Sequence, residues 1–516
     1  MPAASQAYGH RTPGPLAMAL LAALLSLAVS LPTLALLPLW GDEVLTVHTI
    51  TLPFDHLVAE RLRNAHSPAW FLAVQALGLD SHSRFLLRLP SAVGSAAAAA
   101  CMALVAYRLG GWRAALALAV AFATVPAILV EAQDARPNAW HFACLALFTL
   151  SLAVLLDHPR LARAALAKDA GADARRLRWA WAGSTLGAAL VVAMLPLGAL
   201  AVVAGDVAVL WCARRRPWRR LLRPWFLVRL LTVVALLPLF YGLVDGFERR
   251  VGNYWPSPFS WDAVRAALKI AGGGAVDLYD PNYFLGPVGN RVLYWSFSLC
   301  ILLGLWLGRR RRSFSLLVLL AFLPQLVLIA LSLNTSLLVG RYFAVSTPAL
   351  MTLAALGVAA VWRRRPRLVA LPALGLAALL VLQSLDAMYQ LSKPRFDLAV
   401  ERLHQAGVTE VSVVARIFFQ GSSALLQMRD LPLGHRASPF HGFTEALRGK
   451  LLWIVDYPDK PISKAWPILA AGNGLGSCWP VVPGLKLLAI ARDPLALAAS
   501  CPDGPVSAPV PGVAAP

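Results

Sequence analysis

Residues 313–340 read SFSLLVLLAFLPQLVLIALSLNTSLLVG, and none of them carries a charge. A helix needs roughly 20 apolar residues to cross the hydrocarbon core of a bilayer, which is about 30 Å thick. The stretch therefore predicts a transmembrane helix. Similar apolar stretches recur between Arg11 and Asp386, and one of them, Trp179 to Ala213, is divided into two helices near Pro196 because proline interrupts a helix.

The sequence thus predicts an α-helical polytopic membrane protein with about 11 transmembrane helices. The first stretch is longer than the apolar part of a cleaved signal peptide, so it is predicted to remain a span. Besides 313–340, the spans fall in the stretches Arg11–Asp42, Arg88–Arg108, Arg113–Glu131, Arg136–Asp157, Trp179–Ala213, Arg229–Asp245, Arg291–Arg309, Arg341–Arg363 and Arg367–Asp386.

The composition supports the same class. Of the 516 residues, 58% are hydrophobic and 14% are charged, and the mean hydropathy is +0.64. Soluble proteins have about 45 to 50% apolar and about 25% charged residues on average. The long apolar runs and the lack of a short repeat also exclude collagen-like, coiled-coil and disordered chains.

Basic residues are in excess and gather in short loops. Lys and Arg outnumber Asp and Glu by 47 to 26, so the net charge is +21. In a soluble chain this excess would suggest nucleic acid as a partner, but basic loops of a membrane protein stay in the cytoplasm. A cytoplasmic N-terminus places every cluster on that side, and an odd number of spans then places the tail outside. The clusters lie at 108–113, 160–178, 214–223, 309–312 and 363–367.

The chain is predicted to have two structured parts. Residues 1–390 form the transmembrane domain, and residues 391–505 form a small α/β domain outside the cytoplasm. Residues 506–516, which are rich in Pro, Ala and Val, form a disordered tail. The outward loops of the first part are 40–87, 131–137, 245–291 and 334–342.

The second part alternates between strand-like and helix-like segments, which is why an α/β domain is predicted. Cys478 and Cys501 both lie in it. In an oxidising compartment they can form a disulfide, and the sequence leaves a disulfide and two free thiols equally open. The strand-like segments are Val408–Val414, Leu451–Tyr457 and Leu485–Ala491, and the helix-like segments are Asp397–Gln405 and Ser422–Met428.

Acidic residues gather at the outward ends of the spans. Asp42 and Glu43 follow the first span, and Glu131 and Asp134 precede Arg136 in another outward turn. Such acids can simply mark the end of a helix or pair with a neighbouring arginine. They can also supply a general base that faces the outer leaflet. The residues alone leave both interpretations open.

Other outward segments carry His, aromatic and Arg residues. The first loop contains His66-Ser67-Pro68 and then Ala69–Leu79, an apolar piece too short to span a membrane. A lone His such as His66 can be no more than a helix cap. The aromatic-rich segment 245–291 fits an interfacial belt or a lid over a lipid groove. Arg341-Tyr342 stands at the outer end of a later span, where an Arg can also snorkel.

Taken in order, these segments resemble the GT-C superfamily of membrane glycosyltransferases over roughly residues 15–390. The nearest likeness is to the bacterial branch related to aminoarabinose transferases and protein O-mannosyltransferases. Members of the superfamily move a sugar from a polyprenyl-phosphate carrier to a lipid, glycan or protein acceptor outside the cytoplasm. The matching segments are Asp42-Glu43, His66-Ser67-Pro68, Arg88-Leu-Pro-Ser91, Glu131-Ala-Gln-Asp134-Ala-Arg136-Pro137 and Arg341-Tyr342.

The resemblance implies a role for each of these positions. It places the catalytic acid at Asp42, with Glu43 beside it in the catalytic pair. Ser67 stands where the family has proline, and Asn138 stands where the family commonly has an aromatic residue. The implied substrate-binding residues are His66, Glu131, Asp134, Arg136, Arg341 and Tyr342.

The sequence therefore predicts an inverting glycosyltransferase with a polyprenyl-phosphate sugar donor. Asp42 is expected to take the proton from the acceptor hydroxyl, while Arg136 and Arg341 bind the carrier phosphate. A divalent cation, Mg²⁺ or Mn²⁺, between Asp42, Glu43 and the phosphate is left open. The expected partners are the lipid donor, an envelope lipid, glycan or protein acceptor, and the bilayer. The expected location is a bacterial inner membrane, with the C-terminal domain in the periplasm.

A transporter or flippase of polyprenyl-linked saccharides is the alternative. Transporters place charged or broken sites near the middle of their spans, whereas the acids here collect at the outer ends, with Asp206 as the main exception. A structural scaffold for the tail is a further alternative, and it predicts that replacing Asp42 leaves activity unchanged.

Overall fold

The structure is a computed structural model. It describes residues 12–36, 39, 41–79, 83–158, 172–214, 222–248, 259–272, 286–307, 313–334 and 337–365 of the transmembrane domain. In the C-terminal domain it describes residues 405, 410–415, 434–437, 451–456, 476–478, 486–491, 497–498 and 501.

The described part of the transmembrane domain is helical. The helices are α1 Pro15–Ser30, α2 Gly41–Ile50, α3 Phe54–Arg63, α4 Ala69–Ala76, α5 Arg84–Gly110, α6 Trp112–Thr124, α7 Pro126–Ala132, α8 Asn138–Asp157, α9 Ala172–Met194, α10 Ala199–Ala213, α11 Leu222–Glu248, α12 Trp261–Ala271, α13 Gly286–Leu307, α14 Ser313–Leu331, α15 Gly340–Phe343 and α16 Thr347–Arg364. Short 3-10 turns lie at Leu31–Thr33, Pro196–Gly198 and Ala344–Ser346.

Eight of the described helices are long and apolar enough to cross a membrane, and the bent pair α6–α7 adds a ninth if it counts as one span. A shorter apolar helix covers Arg291–Trp306. The chain is therefore a multi-pass membrane protein. The last predicted span, Arg367–Asp386, lies outside the described residues.

Proline residues explain where two of the spans break. Helix α9 ends at Met194 and α10 begins at Ala199, so the break lies at Pro196, as the sequence predicts. The stretch from Arg113 to Glu131, predicted as one span, is bent by 62° between α6 and α7. Pro126 opens α7, and proline excludes the preceding residue, Val125, from helical backbone angles.

Small residues let the helices approach closely. Helix α13 crosses α16 at Gly304 and Gly357, where a Cβ on either glycine would overlap the carbonyl oxygen of Leu353 or Cys300. Small residues at a crossing are the usual means of close packing in membranes. This crossing fixes α16, the span that follows the turn with Arg341.

Asp206 lies within a span but has partners. Its Oδ1 accepts a 2.8 Å hydrogen bond from Arg229 Nε and a 3.1 Å hydrogen bond from Trp225 Nε1. The guanidinium of Arg229 also stacks on Trp225, with 4.2 Å between its carbon and the ring centroid. Asp206 in α10, the exception to the outward placement of the acids, is therefore paired with residues of α11.

The C-terminal domain contains a five-stranded sheet in the order β2-β1-β3-β5-β4. Strand β1 is parallel to β2 and β3, whereas β5 is antiparallel to β3 and β4. The structure adds β2 and β4 to the three predicted strands. The predicted helices Asp397–Gln405, apart from Gln405, and Ser422–Met428 lie outside the described residues, as does the predicted tail 506–516. The strands are β1 Glu410–Ala415, β2 Gly434–Ala437, β3 Leu451–Asp456, β4 Gly476–Cys478 and β5 Lys486–Ala491.

Cys478 and Cys501 form a disulfide. The sequence left a disulfide and two free thiols equally open, and in the structure the two sulfur atoms are bonded. Cys478 ends β4, and the bond closes a loop with a sequence separation of 23 residues. Disulfides persist in oxidising compartments, so the bond agrees with an extracytoplasmic tail.

Candidate active site

One carboxylate and two guanidinium groups meet at one end of the bundle, which we call the site end. Asp42 lies in the first turn of α2, where the helix dipole favours an acid. Arg341 Nη1, from α15, donates a 2.8 Å hydrogen bond to Asp42 Oδ2. Arg136 Nη2, from the turn between α7 and α8, lies 3.4 Å from the same oxygen. The fold thus brings together three segments that are far apart in the sequence.

The pKa of Asp42 is lowered from its ordinary value. Burial of the carboxyl acts to raise the pKa, but the charges of Arg136 and Arg341, the hydrogen bond from Arg341 and the nearby His66 together outweigh burial. Asp42 is therefore a carboxylate at neutral pH and is held in its charged form by its neighbours.

A second acid belongs to the same cluster. Asn138 Nδ2 donates a 2.6 Å hydrogen bond to Glu131 Oε2, and the charge of Glu131 interacts with those of Arg136, Arg341 and Asp42. Asn138, the residue that departs from the family pattern, thus orients Glu131 instead of providing a ring for stacking.

A cleft opens beside this cluster. Its empty volume is about 530 Å³, counting the part that is open to solvent. It is lined by parts of the first predicted outward loop, the α7–α8 turn, the α9–α10 break and α15. The lining residues are His66, Ser67, Phe71, Arg136, Pro137, Asn138, Met194, Leu195, Pro196, Arg341 and Tyr342.

Arg136, which lines the cleft, has one donor without a partner in the described part of the chain. Its Nη1 is buried, and among the described residues it has no hydrogen-bond partner. A buried charged donor without a partner is costly, and an anion is the natural partner for a guanidinium. The arrangement suits a ligand that carries negative charge.

Both carboxylate oxygens of Glu43 accept hydrogen bonds from other residues of the protein. Arg88 donates from Nε and Nη2 to the two carboxylate oxygens at 2.7 Å each, and the backbone N–H of Ala135 donates to Oε1 at 3.0 Å. The side chains of Glu43 and Arg88 are 0% and 1% exposed. The geometry therefore favours a positioning role for Glu43, in place of the catalytic role that its place beside Asp42 implied.

The Glu43–Arg88 pair holds the turn that carries Arg136. Ala135 is bound from two sides, since its N–H donates to Glu43 and its carbonyl accepts a 3.0 Å hydrogen bond from Thr46. Ser91 Oγ, in α5, donates to the carbonyl of Arg136 at 3.3 Å. Helix α2, helix α5 and the α7–α8 turn therefore form one rigid support for Asp42 and Arg136.

Asp134 lies in this support and does not line the cleft. It is buried, its charge interacts with Arg88, and its carbonyl accepts a 2.7 Å hydrogen bond from the N–H of Arg136. The sequence implied substrate binding by Asp134, and the structure places it behind the residues that face the cleft.

The His66-Ser67-Pro68 segment is fixed to the α9–α10 break. Ser67 Oγ donates to the carbonyl of Ala193 and accepts a 3.3 Å hydrogen bond from the N–H of Ala69. The serine that replaces the family's proline thus anchors the loop that carries His66. Neither Ser67 nor Arg88 was among the predicted site residues. The signal for Arg88 was available, because Arg88 begins one of the segments that match the GT-C pattern, and a charged residue at the end of a predicted span is costly unless it has a partner or reaches water.

The residues do not fit a divalent cation held between Asp42 and Glu43. Both oxygens of Glu43 are bound by Arg88, and the described residues contain no group of three His, Cys, Asp or Glu side chains placed to hold a metal ion.

In sequence, no family model and no curated protein matches the chain. In structure, it is similar to the crystal structure of ArnT from Cupriavidus metallidurans in the apo state, with 14% sequence identity, a TM-score of 0.53, and coverage of 91% of this chain and 97% of that chain. The crystal structure of the same protein bound to undecaprenyl phosphate aligns with 15% identity, a TM-score of 0.49, and coverage of 92% and 98%. The first likeness shows that the chain shares the fold of this membrane protein, and it confirms the predicted class, an α-helical polytopic membrane protein.

Proposed function

We propose that this chain is a glycosyltransferase that takes a sugar from a polyprenyl-phosphate carrier. The acceptor is a lipid, glycan or protein at the periplasmic face of a bacterial inner membrane. The observation that carries the proposal is the Asp42 carboxylate held between Arg136 and Arg341 beside an open cleft. The GT-C fold agrees with it, and the C-terminal disulfide supports the outward orientation.

The two arginines suit a phosphate leaving group. A guanidinium presents its donors in a plane that matches two phosphate oxygens, and it keeps its charge when partly buried. Arg136 and Arg341 line the cleft, and Arg136 Nη1 has no partner among the described residues. Positive charge at this point would stabilise the negative charge that develops on the departing phosphate.

Asp42 is suited to act as the general base. Because a polyprenyl phosphate is already a good leaving group, the reaction requires no strong general acid. It requires a group that accepts the proton of the acceptor hydroxyl, and an ionised carboxylate next to the phosphate site meets that requirement. Direct displacement with one base inverts the configuration at the anomeric carbon.

The positions of the charged residues support a transporter less well than a transferase. Asp206 is bound by Arg229 and Trp225, and the unsatisfied donor of Arg136 lies at the site end of the bundle. A transporter would instead place its binding groups near the middle of the spans.

The test uses purified protein in nanodiscs, an envelope extract as acceptor, and a panel of polyprenyl-phosphate sugars with nucleotide sugars as the comparison. We expect release of polyprenyl phosphate from at least one carrier, together with transfer of its sugar and no use of nucleotide sugars. Absence of release from every carrier by folded protein would contradict the proposal. A positive flipping assay with the same carriers would then establish the transporter alternative.

A further inference from the structure

Asp42 and the cleft share the same two guanidinium groups. The single oxygen Oδ2 of Asp42 lies 2.8 Å from Arg341 Nη1 and 3.4 Å from Arg136 Nη2. Both arginines also line the cleft, where the proposed function places the donor phosphate. Each guanidinium therefore faces a carboxylate of the protein and the site of an incoming anion.

The three side chains differ in their freedom to rearrange. The Arg341 side chain is 32% exposed, whereas those of Asp42 and Arg136 are 18% and 10% exposed. Arg136 is held by its turn, and its Nη1 has no hydrogen-bond partner in the described part of the chain, while Arg341 has the more exposed side chain of the two arginines. A phosphate that enters the cleft would meet two arginines that are both paired with Asp42.

We infer that the donor phosphate and Asp42 compete for Arg136 and Arg341, so that donor binding releases Asp42 from its ion pairs and makes it an effective base only once the donor is in place. This inference rests on the proposed function. It adds an order of events, in which the donor binds first and the acceptor hydroxyl is deprotonated afterwards.

The reaction step then balances without any further reagent. The acceptor oxygen forms a bond to the anomeric carbon, and the bond from that carbon to the phosphate oxygen breaks. The electron pair leaves with the polyprenyl phosphate, which Arg136 and Arg341 now bind. The acceptor proton passes to a carboxylate oxygen of Asp42.

The electrostatics of the cluster agree with this order. In the free protein, Arg136, Arg341 and His66 hold the pKa of Asp42 low, so the carboxylate is a weak proton acceptor. Glu131 also interacts with these arginines, whereas Glu43 is bound by Arg88. When a phosphate neutralises the two guanidinium groups, the pKa of Asp42 rises and the carboxylate becomes a better base.

The test measures the affinity of the protein in nanodiscs for a polyprenyl monophosphate, which carries no sugar to transfer. Asp42→Asn removes the competing carboxylate charge and is expected to bind this probe about tenfold more tightly than the wild type, or more. Asp262→Asn is the matched control, because it removes the same charge from an exposed carboxylate on α12. It is expected to leave the affinity within about twofold of the wild-type value.

Equal or weaker binding by Asp42→Asn would overturn the inference, as would an equal gain in Asp262→Asn. Arg136→Gln provides a second check, since the gain in affinity from Asp42→Asn should be smaller in that background.

If Asp42→Asn does not fold, the pH dependence of the wild type can answer the same question. The pH dependence of kcat reports groups in the donor complex, whereas that of kcat/KM for the donor reports groups in the free enzyme. The acid limb of kcat should therefore lie at higher pH than the acid limb of kcat/KM. Limbs at the same pH would overturn the inference.

The outcomes separate this inference from the proposed function. Tight binding of the probe by Asp42→Asn, without sugar transfer by the wild type from any carrier, would support the competition and contradict the transferase. Sugar transfer by the wild type, with no gain in Asp42→Asn, would support the transferase and contradict the competition.

Discussion

Glu43 and Arg88 form a buried ion pair through two hydrogen bonds of 2.7 Å each. The pair joins the start of α2 to α5, and Glu43 also binds the N–H of Ala135, next to Arg136. It therefore fixes the distance between the helix that carries Asp42 and the turn that carries Arg136. Asp42 pairs with Arg136 and Arg341 beside the cleft, whereas Glu43 holds the parts of the site together.

The first prediction concerns Glu43→Gln. This change leaves the Arg88 guanidinium buried without its counter-charge, which typically costs about 3 to 5 kcal/mol. We expect a clear fall in melting temperature in detergent and a loss of sugar transfer that follows the loss of folded protein. The double variant Glu43→Gln/Arg88→Gln should recover part of the stability. A variant that melts like the wild type but transfers no sugar would show that Glu43 acts directly in catalysis.

The second prediction concerns pH. Because the folded-state pKa of Asp42 lies below its ordinary value, the fold favours the ionised form. That contribution is complete above the unfolded pKa of about 4 and is lost as the pH falls through the folded pKa. In the wild type, the acid limb that Asp42 gives to kcat/KM should therefore lie at lower pH than the ordinary pKa of an aspartate. Arg341→Gln removes one lowering charge and should move the limb to higher pH.

The control for this pH measurement is Arg265→Gln, which removes an exposed arginine on α12 that pairs with the exposed Asp262. It should leave the limb in place. A limb that is the same in Arg341→Gln and the wild type would mean that Arg341 does not set the charge state of Asp42.

The third prediction concerns the disulfide and the orientation of the chain. In intact spheroplasts, a membrane-impermeant maleimide should label Cys478 and Cys501 only after mild reduction, because the two thiols are bonded and the proposed orientation places the tail outside. The variant Cys478→Ala/Cys501→Ala should show no such label, and Cys144, which is buried in α8, should stay unlabelled. Labelling only after the membrane is permeabilised would place the tail in the cytoplasm.

Reduction of the same bond should also destabilise the C-terminal domain. A loop of this size, with a sequence separation of 23, contributes about 3 kcal/mol in the chain-entropy model. Proteolysis of the purified protein with and without reductant measures the effect. Equal resistance under both conditions would contradict this prediction.

The fourth prediction concerns the crossing of α13 and α16. Gly357→Ala places a Cβ against the carbonyl oxygen of Cys300, and because backbone atoms cannot move aside as a side chain does, we expect a loss of about 3 kcal/mol. Gly14→Ala is the control, since a Cβ at Gly14 meets no atom within 4 Å. Melting temperatures in detergent compare the two. Similar melting of both variants would contradict the close crossing.

Much of the architecture could be predicted because the bilayer imposes simple rules on a sequence. Charge-free stretches of sufficient length gave the spans in the described part of the chain, and Pro196 gave the break between α9 and α10. The bend at Pro126 was missed, because length and charge alone do not show whether a proline ends a helix or only bends it. Strands β2 and β4, at 4 and 3 residues, are too short to show a pattern.

The site was harder to predict than the spans. The order of short motifs brought Asp42, Arg136 and Arg341 forward together, and the fold does place them in contact. The roles of Asp42 and Glu43 could not be separated in the sequence, although adjacent residues on a helix point about 100° apart. The two acids differ in the partners that the fold supplies. Glu43 is paired with Arg88, whereas Asp42 is paired with Arg136 and Arg341.

The most direct test of the account is the rate of sugar transfer at saturating donor by the wild type and by Asp42→Asn. Both are assayed in nanodiscs after their folding has been verified by melting temperature. The carboxamide has the same shape as the carboxylate but cannot accept the acceptor's proton. We expect the rate to fall by about a hundredfold or more, the usual scale of general-base catalysis. A rate within about threefold of the wild type would contradict the assignment of Asp42 as the base.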